Sequence, residues 1–134
     1  MDNKRVYLGL DVGEQRIGVA QGDSIGRIAQ PLATVLAGEV DESLAQLVRD
    51  TGATDIVVGQ PRNQSGDTTA QTARVQQFAA AHVQQLKLPV HWQDESVTSV
   101  VAEERLKARK QPYQKADIDA EAASIILQDF LESL

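Results

Sequence analysis

The sequence predicts an α/β fold built on a mixed five-stranded sheet with helices on both faces. Three observations predict it. Three short apolar-rich segments follow one another at the N-terminal end, which implies a three-strand antiparallel meander. Two further apolar segments alternate with helical patterns, which implies parallel strands joined by helices. The 134 residues, 42% apolar and 24% charged, suit one globular domain over 1–134. A chain of this size buries roughly two-thirds of its unfolded surface without disulfide or metal staples.

The elements read as follows. Arg5 to Asp11 and Arg16 to Gln21 are strands separated by a turn at Gly13. Gly26 to Leu36 is the third strand, with Pro31 marking it as an edge or a kink. Asp41 to Thr51 is a helix: Leu44, Leu47 and Val48 share a face, acids fill the first turn, and Gly52 follows. Ile56 to Val58 is a short strand of the buried parallel type, and Gln60 to Gly66 is a loop on composition. A long helix starts at Asp67 or Thr68, with Val75, Phe78, Ala79, His82 and Leu86 as its apolar stripe. Pro89 ends that region and Val90 to Asp94 is the next strand. Helical spacing returns from Val97 to Ala108, a polar loop holds Pro112, and Ile118 to Leu131 is the final helix.

Composition removes whole classes of chemistry. With no cysteine there is no disulfide framework, thiol nucleophile, iron–sulfur cluster or zinc–thiolate site. Two histidines, His82 and His91, exclude a histidine-rich metal centre. The apolar run from Val6 to Leu10 stops at Asp11, too short for a signal-peptide core or a membrane span. The expected location is therefore cytoplasmic, with no membrane partner.

The net charge of −6 argues, taken alone, against nucleic acid. The charge is unevenly spread, however. Arg105, Lys107, Arg109, Lys110 and Lys115 fall in one stretch that contains no acid. Such a stretch is either a basic patch on an acidic body or an ordinary solvated face.

Acids in apolar surroundings are more telling, because an unpaired buried carboxylate is expensive. Asp11 ends the first strand, Asp94 and Glu95 end the strand after Pro89, and Asp119 shares a helix face with Ala122, Ala123, Ile126 and Phe130. The ends of those strands and the start of that helix converge at one edge of such a sheet. Carboxylates brought together there repel one another unless cations intervene, and hard oxygen ligands suit Mg²⁺ or Mn²⁺. A pair of such ions hydrolyses phosphodiesters. The competing reading has Asp11 capping a turn, Asp94 capping a helix and Asp119 answering a helix dipole.

Leu8-Gly9-Leu10-Asp11-Val12-Gly13, followed by Arg16-Ile17-Gly18-Val19-Ala20, resembles the opening of the YqgF/RuvX family of ribonuclease-H-like proteins. The resemblance runs on through Ile56-Val57-Val58-Gly59, Pro61, Asn63, Gly66, Thr72, Arg74 and Phe78. It resumes at Asp94-Glu95 with Thr98-Ser99, and closes with Asp119, Ala122, Ala123, Ile126 and Leu127. It implies a metal-dependent nuclease that matures the 5′ end of the 16S rRNA precursor, resolves Holliday junctions, or both.

By the same resemblance the catalytic and metal-holding acids are Asp11, Glu95 and Asp119, with Mg²⁺ or Mn²⁺ as cofactor. Asp94 in place of Glu95 and Asp117 in place of Asp119 stay open. Asp117 precedes the apolar stripe and reads as the helix cap. The family commonly has Arg after the Asp-Glu pair, where this chain has Ser96, so a basic contact near the scissile phosphate is either missing or supplied by Arg74 or Arg62.

The loop holding Gly59, Pro61, Asn63 and Gly66 follows a buried strand, where open sheets place ligands, and with Arg74 it is expected to touch substrate. Arg105, Lys107, Arg109 and Lys110 are expected to steer structured RNA or branched DNA. His82 is expected at the core or its boundary, His91 as structural, Trp92 in the core and Tyr113 as a stacking candidate. Symmetric cutting of a junction would call for a homodimer.

Two other classes compete. A sugar-kinase or actin-like ATPase also opens on an Asp-x-Gly hairpin, but it needs two such domains and this chain has one. A catalytically silent ribonuclease-H-like binding module is the second, and a metal-restored nuclease activity separates it from the enzyme.

Overall fold

A hydrogen bond from the Gly13 N–H to the Arg16 carbonyl, 2.9 Å long, folds β1 (Val6–Val12) back onto β2 (Arg16–Asp23). The computed structural model describes residues 4–61, 69–95, 104–109, 112 and 114–134. β3 (Gln30–Leu36) pairs antiparallel with β2, and the register shifts between Val19 and Ala20, opposite Pro31. Pro31 thus lies on an edge strand and at an irregularity, as its missing N–H requires. The strand starts later than Gly26, because the Asp23 carboxylate accepts from the Ile25 and Gly26 N–H groups and ties residues 23–26 into a turn.

α1 (Val40–Thr51) carries Asp41 and Glu42 in its first turn and stops at Gly52, whose left-handed φ of 70° lets its N–H reach the Val48 carbonyl. β4 (Asp55–Pro61) then enters parallel to β1, and β5 (Val90–Glu95) parallel to β4. The sheet order is β3-β2-β1-β4-β5, which is the meander plus parallel strands expected from the sequence.

Between β4 and β5 the chain forms α2 (Ala70–Phe78), capped by Thr69. The helix continues differently from the expected regular one. Ala79–Val83 form a π turn and Gln84–Leu86 a 3₁₀ turn. The wider turn carries Val83 fully inward beside Val75 and Ala79, while His82 stays at the boundary and pairs with Asp41 at 2.7 Å. A short helical stretch, α3 (104–108), precedes α4 (Lys115–Glu132). The starts expected at Asp67 or Thr68 and at Val97 lie outside the described residues.

The two faces of the sheet hold different cores. On one, Leu8, Leu10, Ile17, Val19, Ile56 and Val58 pack with Leu44 of α1 and Val75 of α2. On the other, Tyr7, Ala20 and Val57 pack with Ala123, Ile126, Leu127 and Leu131 of α4. Helices therefore cover both faces. Trp92 departs from expectation: it is 41% exposed, not core. It sits on the edge strand β5.

Candidate active site at the carboxyl end of the parallel strands

β1 presents Tyr7, Gly9 and Asp11 to the α4 face, since alternate residues of a strand share a side. Helix α4 comes very close there. A Cβ on Gly9 would stand 2.7 Å from that of Leu127. A Cβ on Gly18, which pairs across the strands with Asp11, would collide with the backbone carbonyl of Asp119. These two glycines let the helix lie on the sheet, and that contact brings the Asp119 turn beside Asp11.

β5 supplies the third acid. His91, Gln93 and Glu95 alternate onto the α4 face, and the Glu95 carboxylate lies over Gly59 and beside Ile126, in space that a Cβ at Gly59 would fill. Asp94 points to the other side and pairs in register with Gln60. The structure thus groups Glu95, not Asp94, with Asp11. Asp117 is exposed and accepts from the Gln114 N–H at 2.8 Å in a reciprocal capping box. Its carboxylate is engaged at the helix start, while Asp119 faces the sheet.

The electrostatics follow from this packing. Burial, and then the charge of Asp119, raise the Asp11 carboxyl to about 6. Burial, and then Asp11, raise Glu95 to about 8. Asp11 therefore feels an acid on either side. The Glu95 Oε2 atom is buried with no hydrogen-bond partner, an arrangement that leaves a strong acceptor unsatisfied.

Asp119 is engaged differently. Its Oδ2 accepts from Arg16 Nε at 2.6 Å, and the pair is one-quarter to one-third exposed. Among the described residues no three His, Cys, Asp or Glu side chains are grouped closely enough to hold a metal ion as they stand. The donors are nonetheless of the right kind: three carboxylates, one with a buried oxygen that lacks a partner, suit a hard divalent cation.

The other expected site residues are scattered around this end of the sheet. Gly59 is under Glu95, and Pro61 ends β4, its carbonyl accepting from the Thr72 hydroxyl. Arg74 of α2 pairs with Glu14 at 2.5 Å. Gly13, Glu14, Gln15, Arg16, Gln71, Arg74 and Asp119 line one open groove. Asn63, Gly66, Arg62, Ser96, Tyr113 and Lys110 lie outside the described residues.

Within the basic stretch Lys107 is exposed, but Arg105 and Arg109 turn back to Glu121 of α4, at 3.7 and 3.0 Å. Glu121 is buried, and one of its oxygens has no hydrogen-bond partner. Those two arginines are anchoring a buried acid as well as facing solvent. At the opposite end of the sheet, Asp55 is buried under Arg5 and His91, at 2.6 and 2.8 Å, and these contacts with the Thr54 hydroxyl hold its carboxyl below the usual range despite burial. His91 is structural, as expected.

Sequence reasoning missed Arg16 and Glu121. Arg16 sits in the run Arg16-Ile17-Gly18 that carries the resemblance, so its position was signalled but not its partner, 103 residues away. Glu121 follows Asp119 by two residues on a helix whose stripe lies elsewhere, and nothing local marks it as buried.

Residues 5–133 match the family described as "RuvX: Holliday junction resolvase". The chain belongs to this family. It is 43% identical over 137 residues to a Synechocystis sp. protein named "Putative pre-16S rRNA nuclease", with 98% of this chain and 90% of that protein covered. A Chloroflexus aurantiacus protein of the same name is 44% identical, over 98% of this chain and 89% of that one.

Among solved structures, Thermus thermophilus RuvC in complex with Holliday junction substrate superposes with a TM-score of 0.59 at 12% identity, over 96% of this chain and 94% of that one. The yeast mitochondrial resolvase Ydc2 gives 0.50 at 10% identity, over 93% and 77%. The fold of this RuvX family member is accordingly ribonuclease-H-like. No helix among its described residues is long and apolar enough to cross a membrane.

Proposed function

We propose that this RuvX family member is a metal-dependent nuclease that trims the 5′ end of the 16S rRNA precursor in the cytoplasm, with junction-like branched DNA as a second substrate. The observation that carries the reading is the carboxylate arrangement. Asp11 lies between the charges of Asp119 and Glu95, both Asp11 and Glu95 are raised by burial, and Glu95 Oε2 lacks a partner. Nothing in packing requires three acids at one end of a sheet, and the arrangement costs stability unless a cation joins it.

Asp11, Glu95 and Asp119 are the residues that would hold Mg²⁺ or Mn²⁺. Such ions supply the Lewis acidity that activates an attacking water and stabilises the leaving oxygen of a phosphodiester. The chain's own residues do the placing. Asp11 rides on a strand paired on both sides, so its position is rigid. Gly59 leaves the room that Glu95 occupies, and Gly18 lets the Asp119 turn approach.

Arg74 and Lys107 are proposed to meet phosphates, with Asn63, Gly66 and Lys110 proposed for the same surface. Gly59 and Pro61 act on substrate through the shape they give the strand end. Arg105 and Arg109 divide their charge between substrate and Glu121.

The test is cleavage of a 16S precursor 5′-leader RNA and a four-way DNA junction, side by side, by one preparation. Chelation is expected to stop cutting and Mg²⁺ or Mn²⁺ to restore it, with the RNA cut faster. A preparation that binds both nucleic acids yet cuts neither with either ion present is a silent binding module instead.

A further inference from the structure

The structure gives Asp119 a cation already: the guanidinium of Arg16, 2.6 Å from its Oδ2. We propose that Arg16 is an exchangeable counter-ion, which neutralises Asp119 while the site lacks a divalent ion and transfers to a substrate phosphate when an ion takes Asp119. The inference rests on the nuclease reading and adds a residue and a sequence of events to it.

Three observations and one electrostatic argument converge on it. Among the described residues no three acids are grouped closely enough to hold an ion, and Asp119, whose charge reaches Asp11, is bound to Arg16. A doubly charged ion at Asp119 would repel the guanidinium beside it, so the two cations compete for one carboxylate. Arg16 is one-third exposed and lines the open groove, so its head has somewhere to go. The only other described acid lining that groove, Glu14, is taken by Arg74 at 2.5 Å.

A displaced Arg16 therefore finds water or an incoming anion, and a guanidinium binds phosphate in a two-pronged fashion that suits a nucleic-acid backbone. Ion and substrate then favour each other. The ion frees the arginine that the phosphate needs, and the phosphate removes the arginine that the ion must displace.

The experiment measures Mn²⁺ binding to the full chain by electron paramagnetic resonance of free Mn²⁺, with Arg16→Gln and Arg16→Lys beside the parent. Thermal melts confirm that each variant folds. Arg16→Gln is expected to bind Mn²⁺ about five- to tenfold more tightly, at the low end of typical couplings between sites. That gain should vanish in the Asp119→Asn background. Arg16→Lys, which keeps the charge but loses the planar head, should fall between.

Binding of a labelled 16S leader RNA, read by fluorescence anisotropy in chelator and in Ca²⁺, tests the second half. Ca²⁺ should tighten the parent about fivefold more than Arg16→Gln. Unchanged or weaker Mn²⁺ binding by Arg16→Gln overturns the exchange and leaves Arg16 as a prop for Asp119. Equal Ca²⁺ gains overturn the transfer to phosphate. Absence of Mn²⁺ binding by both parent and variant overturns the metal-nuclease reading itself.

Discussion

The two faces of the sheet are built on opposite principles. Under α1 and α2 the strands present Leu8, Leu10, Ile17, Val19, Ile56 and Val58, an unbroken apolar layer. Under α4 the same strands present Gly9, Asp11, Gly18 and Gly59, and β5 adds Glu95. The first face maximises burial of large side chains. The second gives that up at one end, where missing side chains let a helix backbone and three carboxylates approach. One layer holds the fold while the other gains a charged end that burial alone would reject.

Substitutions on the two faces should therefore fail in different ways. The largest expected effect is on the charged face: Asp11→Asn should lower cleavage about a thousandfold, equivalent to about 4 kcal/mol of lost charge stabilisation in the transition state. The same variant should be as stable as the parent or more so without metal, and its melting temperature should rise less with added Mn²⁺. Calorimetric melts with and without ion check both signs. A parental cutting rate in Asp11→Asn would sink the site.

On the dry face the pattern should invert. Leu44, fully buried against the sheet, should cost about 3 kcal/mol when cut to alanine, by urea denaturation. Cleavage per folded molecule should stay near parental.

Gly18→Ala crosses the two categories. Its new Cβ meets the backbone carbonyl of Asp119, which cannot rotate away. A loss of about 2 kcal/mol is expected, together with weaker Mn²⁺ binding as the Asp119 turn lifts.

A pH titration separates the faces without any mutation. Asp11 and Glu95 are raised to about 6 and about 8, above their unfolded values near 4. The native chain therefore holds protons that the unfolded chain has already lost. Metal-free stability should be highest at and below about pH 4 with respect to these two groups and fall as pH rises through 8. Glu95→Gln should flatten that slope, and Leu44→Ala should leave it unaltered.

The smallest expected effect is Asp117→Asn. Its carboxylate accepts from the Gln114 N–H at the start of α4. The change should cost under about 1 kcal/mol and leave cutting intact.

The same division governs what could be read in the sequence. The apolar packing on both faces was legible because apolar runs and helical stripes report burial directly, so the antiparallel meander, the parallel strands, α1 and the inward stripe of α4 follow from periodicity and element order. Asp11 and Asp119 were legible as acids interrupting such patterns. Their partners were not. The Arg16–Asp119 pair joins residues 103 apart, and no local pattern encodes a contact across that distance.

Burial of Glu121 and exposure of Trp92 were missed for a related reason. Both depend on which element covers the residue: α3 and its arginines in one case, the open edge of the sheet in the other. The π turn in 79–83 was missed because Ala and Val there fit a regular helix equally well.

The place of β1 in the sheet has a consequence for motion. β1 is bonded to β2 on one side and β4 on the other, whereas among the described residues β5 is bonded to β4 alone. Amide hydrogens of a doubly bonded strand exchange with solvent only through large openings, while those of a terminal strand exchange through local fraying. Asp11 thus rides on a strand expected to exchange slowly, and Glu95 on one expected to exchange faster. The strand that carries Asp11 is thereby the better anchored of the two, and fraying at β5 is expected to move Glu95 without disturbing Asp11.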